Sequence, residues 1–123
     1  MNKISVCSLL IKDKKILGVS RKDNHSDFGL IGGKVEDNET VEQAVIRETE
    51  EETGLQLEDL EKVFEAPCKG SLCITFMASY SGNIKTDEVH VVKWVTWEDL
   101  FSGSFGEYNK LLHNHLLLNK LIC

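Results

Sequence analysis

Residues 33–55, GKVEDNETVEQAVIRETEEETGL, constrain this chain more than any other stretch. Residues 36–52 carry eight acidic side chains against one basic, and like charges so close on one element need a positive neighbour. The ends of the stretch are chemically marked. Thr40 followed by Gln43 reads as a capping box, in which hydroxyl and amide each satisfy a free backbone N–H, so a helix starts there. Gly54 supplies its left-handed stop.

At ~100° per residue, Val41, Ala44, Val45, Glu48, Glu51 and Glu52 fall on one face of that helix, while Glu50 points away. The three apolar residues must meet a core, so the three glutamates are expected to continue the stripe inward. An acidic run is ordinarily a solvated face. Three inward carboxylates would instead repel one another and lose solvation, a cost that a divalent cation offsets. Hard oxygen donors without His or Cys suit Mg²⁺, with Mn²⁺ as a substitute. Arg47 lies to the side, within reach of Glu51 and of Glu36 or Asp37, where it can orient a carboxylate. Its bland alternative, an exposed i,i+4 pair with Glu51, contributes only ~0.3–0.5 kcal/mol.

Around this helix the pattern alternates between strand and turn. Residues 3–11 and 16–21 are apolar and β-branched on either side of KDKK, which reads as a hairpin. A polar loop at 22–27 precedes FGLIGG at 28–33, whose paired glycines let backbone approach a ligand. Residues 60–66, 71–82 and 88–96 are further strand candidates, the middle one buried on both faces. Thr96 with Asp99 predicts a second capping box and a short helical turn. A final helix from 107 to 123 is expected to pack Tyr108, Leu111, Leu112, His115, Leu118, Asn119 and Ile122 along one side. His113 and His115, two residues apart, point in different directions and make a poor metal pair. The sum is a single mixed α/β domain over residues 1–123, with helices on opposite faces of a mixed sheet.

Written as a pattern, the opening stretch resembles the Nudix box: glycine, five residues, Glu, seven residues, Arg-Glu, an apolar residue, any residue, Glu-Glu, any residue, glycine, an apolar residue. Gly33, Glu39, Arg47, Glu48, Glu51, Glu52, Gly54 and Leu55 fill its fixed positions, and Thr49 departs from the usual aliphatic residue. FGLIGGK resembles the family's approach to the box, with Ile31 in place of a proline. The order of strands and helices outside the box also resembles the Nudix α/β/α sandwich.

The resemblance to this MutT-like superfamily implies hydrolysis of a nucleoside diphosphate linked to another group X, assisted by divalent metal. It implies Glu48 and Glu52 as metal ligands, Glu51 as a ligand or orienting group, and the carbonyl of Gly32 or Gly33 as a further ligand. For the general base Glu48 comes first, with Asp87 and Glu88 in a later loop as alternatives. Lys34 and Arg21 are candidates for phosphate oxygens or are plain surface cations. Phe28 either walls a base pocket or belongs to the core.

For the substrate, the compact chain leans towards a nucleoside triphosphate, standard or oxidised, cleaved to monophosphate and pyrophosphate. ADP-ribose, nucleotide sugars and dinucleoside polyphosphates stand as alternatives, as does a catalytically silent Nudix-fold nucleotide-binding regulator. A net charge of -6 and pI of about 5.2 disfavour a nucleic-acid partner, since such binding relies on Lys and Arg contacts with phosphates. No run of ~18 apolar residues is present to span a bilayer, so a cytoplasmic monomer or homodimer without membrane attachment is expected. Cys7, Cys68, Cys73 and Cys123 lack metal-site spacing and are read as reduced, buried thiols without disulfides.

Overall fold

The computed structural model describes residues 3–85 and 89–122. Within them, strands β1 (Ile4–Leu9), β2 (Ile11–Lys12), β3 (Lys15–Ser20) and β4 (Phe28–Lys34) precede helix α1 (Val41–Thr53). Strands β5 (Gln56–Cys68), β6 (Ser71–Ser81) and β7 (Val92–Val95) follow, then helices α2 (Trp97–Phe101) and α3 (Gly106–Leu118). The strands form one mixed sheet in the order β2-β3-β4-β1-β6-β5, with β7 paired to β3.

The first expected hairpin is realised only at its tip. Asp13 and Lys14 both adopt positive φ, 51° and 65°, the backbone of a tight two-residue turn, and pair Ile11 with Ile16 and Lys12 with Lys15. Beyond Leu10 the strands part. β1 instead lies between β4, antiparallel, and β6, parallel. The physical reason is burial: Val6 to Leu10 are buried without a break, and a strand covered on both faces belongs inside the sheet.

Alternating residues of the central strands feed two cores, as the two-residue period of a strand requires. Val6, Leu10, Leu17 and Ile31 pack with Ala44, Val45 and Leu55 on the α1 side. Cys7, Leu9, Ile16 and Phe28 pack with Leu100, Tyr108, Leu112 and Leu116 on the α2 and α3 side. The result is the expected sandwich, with Ile74, Thr75 and Phe76 of β6 buried consecutively at its centre.

Both capping boxes form as read, at Thr40 with Gln43 and at Thr96 with Asp99, and Gly54 closes α1 at φ 81°. The α3 stripe is rotated from its expected position. Tyr108, Asn109, Leu112 and Leu116 are buried, whereas Leu111 is half exposed and Leu118 is 82% exposed. The wheel placed the stripe by counting apolar residues, while packing selects those that meet β5 and α2 through Tyr108, His113 and His115. Phe64 lies 5.5 Å from Tyr108 and 5.0 Å from His115, and Trp97 lies 4.7 Å from His113. Both histidines therefore have packing roles.

Candidate active site

The site forms where the C-terminal half of α1 crosses the Gly32–Gly33 end of β4. A Cβ on Gly32 would lie 2.0 Å from the Val6 carbonyl oxygen on β1, so only glycine permits this strand pairing. A Cβ on Gly33 would lie 2.4 Å from Cδ of Glu48. The space beside Gly33 is thus filled by the Glu48 carboxylate. Glu52, one turn along α1, accepts a hydrogen bond from the Gly32 N–H at 2.8 Å. Two glutamates four residues apart thereby meet two consecutive glycines.

Arg47 holds the other side of Glu48. Its Nε and Nη2 donate to both oxygens of Glu39 at 2.7 and 3.0 Å, and Nη1 donates to Glu48 Oε1 at 2.9 Å. Further contacts reach the Lys34 carbonyl at 3.2 Å, Glu51 at 3.3 Å and Glu36 at 3.6 Å. A planar fork with this many partners fixes geometry in a way a lysine cannot. The guanidinium beside Glu39 holds that carboxyl below its usual range. Glu39 in turn accepts from the Glu36 N–H at 3.0 Å, tying the turn before α1 to the arginine. Sequence reasoning placed Glu39 in the box without a role; its signal was its fixed separation from Arg47.

Two of the expected inward carboxylates are inward. The Glu48 side chain is 17% exposed, and burial pushes Glu52 up to about 8, against the Gly32 hydrogen bond and with Glu48 and Glu51 adding repulsion. Glu51 differs: its side chain is 59% exposed and turned to Arg47. The buried stripe runs through Ala44, Val45, Thr49 and Thr53, so Glu51 lies beyond its edge. Thr49 is inside, its hydroxyl donating to the Val45 carbonyl at 2.7 Å and lying 2.9 Å from Ser8 Oγ on β1.

Among the described residues no three acidic, His or Cys side chains converge as a ready cation cage. The donors still suit a hard divalent cation, which takes oxygen ligands from one or two carboxylates and backbone carbonyls and completes its shell with water. Burial raises Glu52, and a cation beside it would favour its ionised form.

A cleft of about 390 Å³ opens from Glu52, Gly32 and Gly33 towards the start of α3. Lys34 and Arg21 line it, Arg21 also pairing with Asp23 at 3.2 Å. Phe28 is core, 5% exposed, and the aromatic residues on the cleft are Tyr108 and Phe105, the latter covering Gly29. Beside it Asn109 is 1% exposed and its amide nitrogen has no partner. An orphaned buried donor costs about 1–3 kcal/mol, which a hydrogen-bonding ligand recovers. Neither Phe105 nor Asn109 was marked by the sequence, because only the tertiary fold carries α3 to the cleft. Asp87 and Glu88 lie outside the described residues.

A mixed sheet between helices, with glutamates of one helix seated on a glycine pair, is the arrangement of a Nudix domain. The chain belongs to the NUDIX family, whose NUDIX domain matches residues 1–114. It is 46% identical over 68 residues to the ADP-ribose pyrophosphatase of Methanocaldococcus jannaschii, spanning 52% of this chain but only 40% of that protein. It is 30% identical over 105 residues to the MutT-like protein of Streptomyces ambofaciens, covering 81% of this chain and 68% of that one. The fold matches the crystal structure of the MutT NUDIX hydrolase from Burkholderia pseudomallei with a TM-score of 0.78 at 24% identity, covering 94% of this chain and 98% of the other.

Proposed function

We propose that the protein hydrolyses a pyrophosphate bond in a nucleoside diphosphate linked to X, with a nucleoside triphosphate, standard or oxidised, as the substrate, giving monophosphate and pyrophosphate. The observation that carries this reading is the cleft itself. Carboxylates seated on backbone glycines stand at one end, and an aromatic ring with an unsatisfied amide donor stands at the other. That spacing of charge and base-reading groups suits a nucleotide.

Glu48, Glu52 and the carbonyl of Gly32 or Gly33 would hold Mg²⁺, or Mn²⁺ in its place, with Glu51 joining from the rim. When bound, the metal neutralises phosphate charge and makes water a better nucleophile. Arg47 fixes the carboxylate of Glu48, our choice for the proton acceptor from the attacking water. Lys34 and Arg21 meet phosphate oxygens at the cleft mouth. Asn109 donates to an acceptor on the base, and Phe105 bounds the base on one side.

Similarity to the M. jannaschii ADP-ribose pyrophosphatase favours ADP-ribose as the second reading. A panel of nucleoside triphosphates, oxidised purine triphosphates, ADP-ribose, nucleotide sugars and dinucleoside polyphosphates, assayed with Mg²⁺, separates these. Glu48→Gln and Glu52→Gln are expected to keep the fold and to lower turnover by orders of magnitude. Turnover like the parent's in both variants would sink the site assignment. A folded protein inert on the whole panel would favour the silent nucleotide-binding module.

A further inference from the structure

Three cysteines line the cleft, and nothing in the proposed hydrolysis uses them. Cys7 lies on β1, Cys73 on β6 and Cys68 at the end of β5. Strand register sets them on one face of the sheet: Cys7 is opposite Thr75, Ser5 is opposite Cys73, and Cys73 is opposite Ala66, two residues before Cys68. Residues two apart along a strand point the same way. The expectation of buried thiols holds for Cys7 but not for Cys68 and Cys73, which are half-buried, while Cys123 lies outside the described residues.

The three differ in setting. Cys7 is 7% exposed and its Sγ lies 3.0 Å from the Thr75 hydroxyl, itself 2.7 Å from the Tyr108 hydroxyl. Cys68 and Cys73 are half-buried. Cys73 is the central one of the three, flanked by Cys7 on the neighbouring strand, with its own carbonyl held by the Tyr108 hydroxyl at 3.2 Å. The nearby Cys7 thiol draws the Cys73 thiol down despite its burial, whereas burial pushes Cys68 up.

We propose that Cys73 is a modification site, a cleft thiol that exchanges with low-molecular-weight disulfides and, once modified, closes the cleft to nucleotide. The proposal rests on reading the cleft as the nucleotide site. The Cys73 thiol releases its proton to solvent, and the thiolate attacks one sulfur of RSSR. A bond forms between Cys73 Sγ and that sulfur, the reagent's S–S bond breaks, and RS⁻ leaves with the electron pair. A reducing thiol runs the exchange backwards. The adduct occupies part of about 390 Å³, near the lower end of the ~300–1,000 Å³ of small-molecule pockets, so adduct and nucleotide compete for the same volume.

The test treats the full chain with 2-hydroxyethyl disulfide at neutral pH and locates the adduct by peptide mass mapping. Cys73, half-buried on the cleft, is expected to react ahead of the buried Cys7. Cys73→Ser removes that adduct. Backbone amide spectra of the modified protein are expected to shift at Gly29, Leu30 and Gly32 and to return with dithiothreitol. An unreactive Cys73, a first adduct on Cys7, or a Cys73 adduct that leaves those amides unmoved overturns the proposal. Neither readout needs turnover, so a chain inert on every nucleotide counts against the hydrolase reading alone. Where turnover is measured, the modified parent loses it and the treated Cys73→Ser variant keeps its own untreated rate.

Discussion

At the scale of single residues, adjacent glycines do different work. Gly32→Ala drives a Cβ into the Val6 carbonyl oxygen at 2.0 Å, and overpacking against backbone costs about 1–3 kcal/mol or more. Its melting temperature is expected to fall. Gly33→Ala first meets a side-chain end, the Glu48 carboxylate, rather than backbone, so it is expected to displace that carboxylate from Arg47, losing turnover but less stability than Gly32→Ala. Equal melting losses in the pair would contradict this division. Glu52 makes a pH prediction. Its folded value of about 8 lies above the ordinary 4.5, so between those values the folded state binds the extra proton. Its contribution to stability is full below about pH 4.5 and is lost as pH rises through about 8. Thermal melts in chelator from about pH 5 to about pH 9 should show this decline. Glu52→Gln should flatten it and Mg²⁺ should oppose it.

Among elements, α1 is set by contacts a wheel cannot weigh. Thr49 is buried with its hydroxyl against Ser8 of β1, where the family pattern has an aliphatic side chain. Thr49→Val leaves the Ser8 hydroxyl without that partner and should cost about 1–3 kcal/mol, while adding Ser8→Ala should recover much of it, since removing both partners of a buried pair is nearly neutral. Urea denaturation of the two single variants and the double variant measures the coupling. Purely additive losses would mean that the two hydroxyls do not depend on each other. The same contact explains why Glu51, rather than Thr49, leaves the interior. The helix turns its hydroxyl to β1, and Glu51 falls to the rim beside Arg47.

For the whole molecule, the cleft depends on a tie between segments far apart in sequence. Asp27, before β4, accepts from the Ser104 N–H at 2.8 Å and also from the Ser104 hydroxyl, and Ser104 precedes Phe105 at the cleft. Asp27→Ala is expected to loosen this wall and raise KM by about threefold to tenfold with a smaller change in kcat, the pattern of lost ground-state binding. Steady-state kinetics on the best panel substrate decides it, and an unchanged KM with reduced kcat would place Asp27 elsewhere in the mechanism. Much of α1 was legible without coordinates, because capping hydroxyls, a terminal glycine and the separation of Arg47 from the glutamates act within a few turns of one helix. Local chemistry also sufficed for the second capping box and for the turn at Asp13 and Lys14. The partner of β1, the exit of Glu51, the buried face of α3 and the meeting of Asn109, Phe105 and Cys73 in one cleft were decided by tertiary structure. Each depends on which distant backbone lies alongside, and that choice is made by burial summed over the whole sheet.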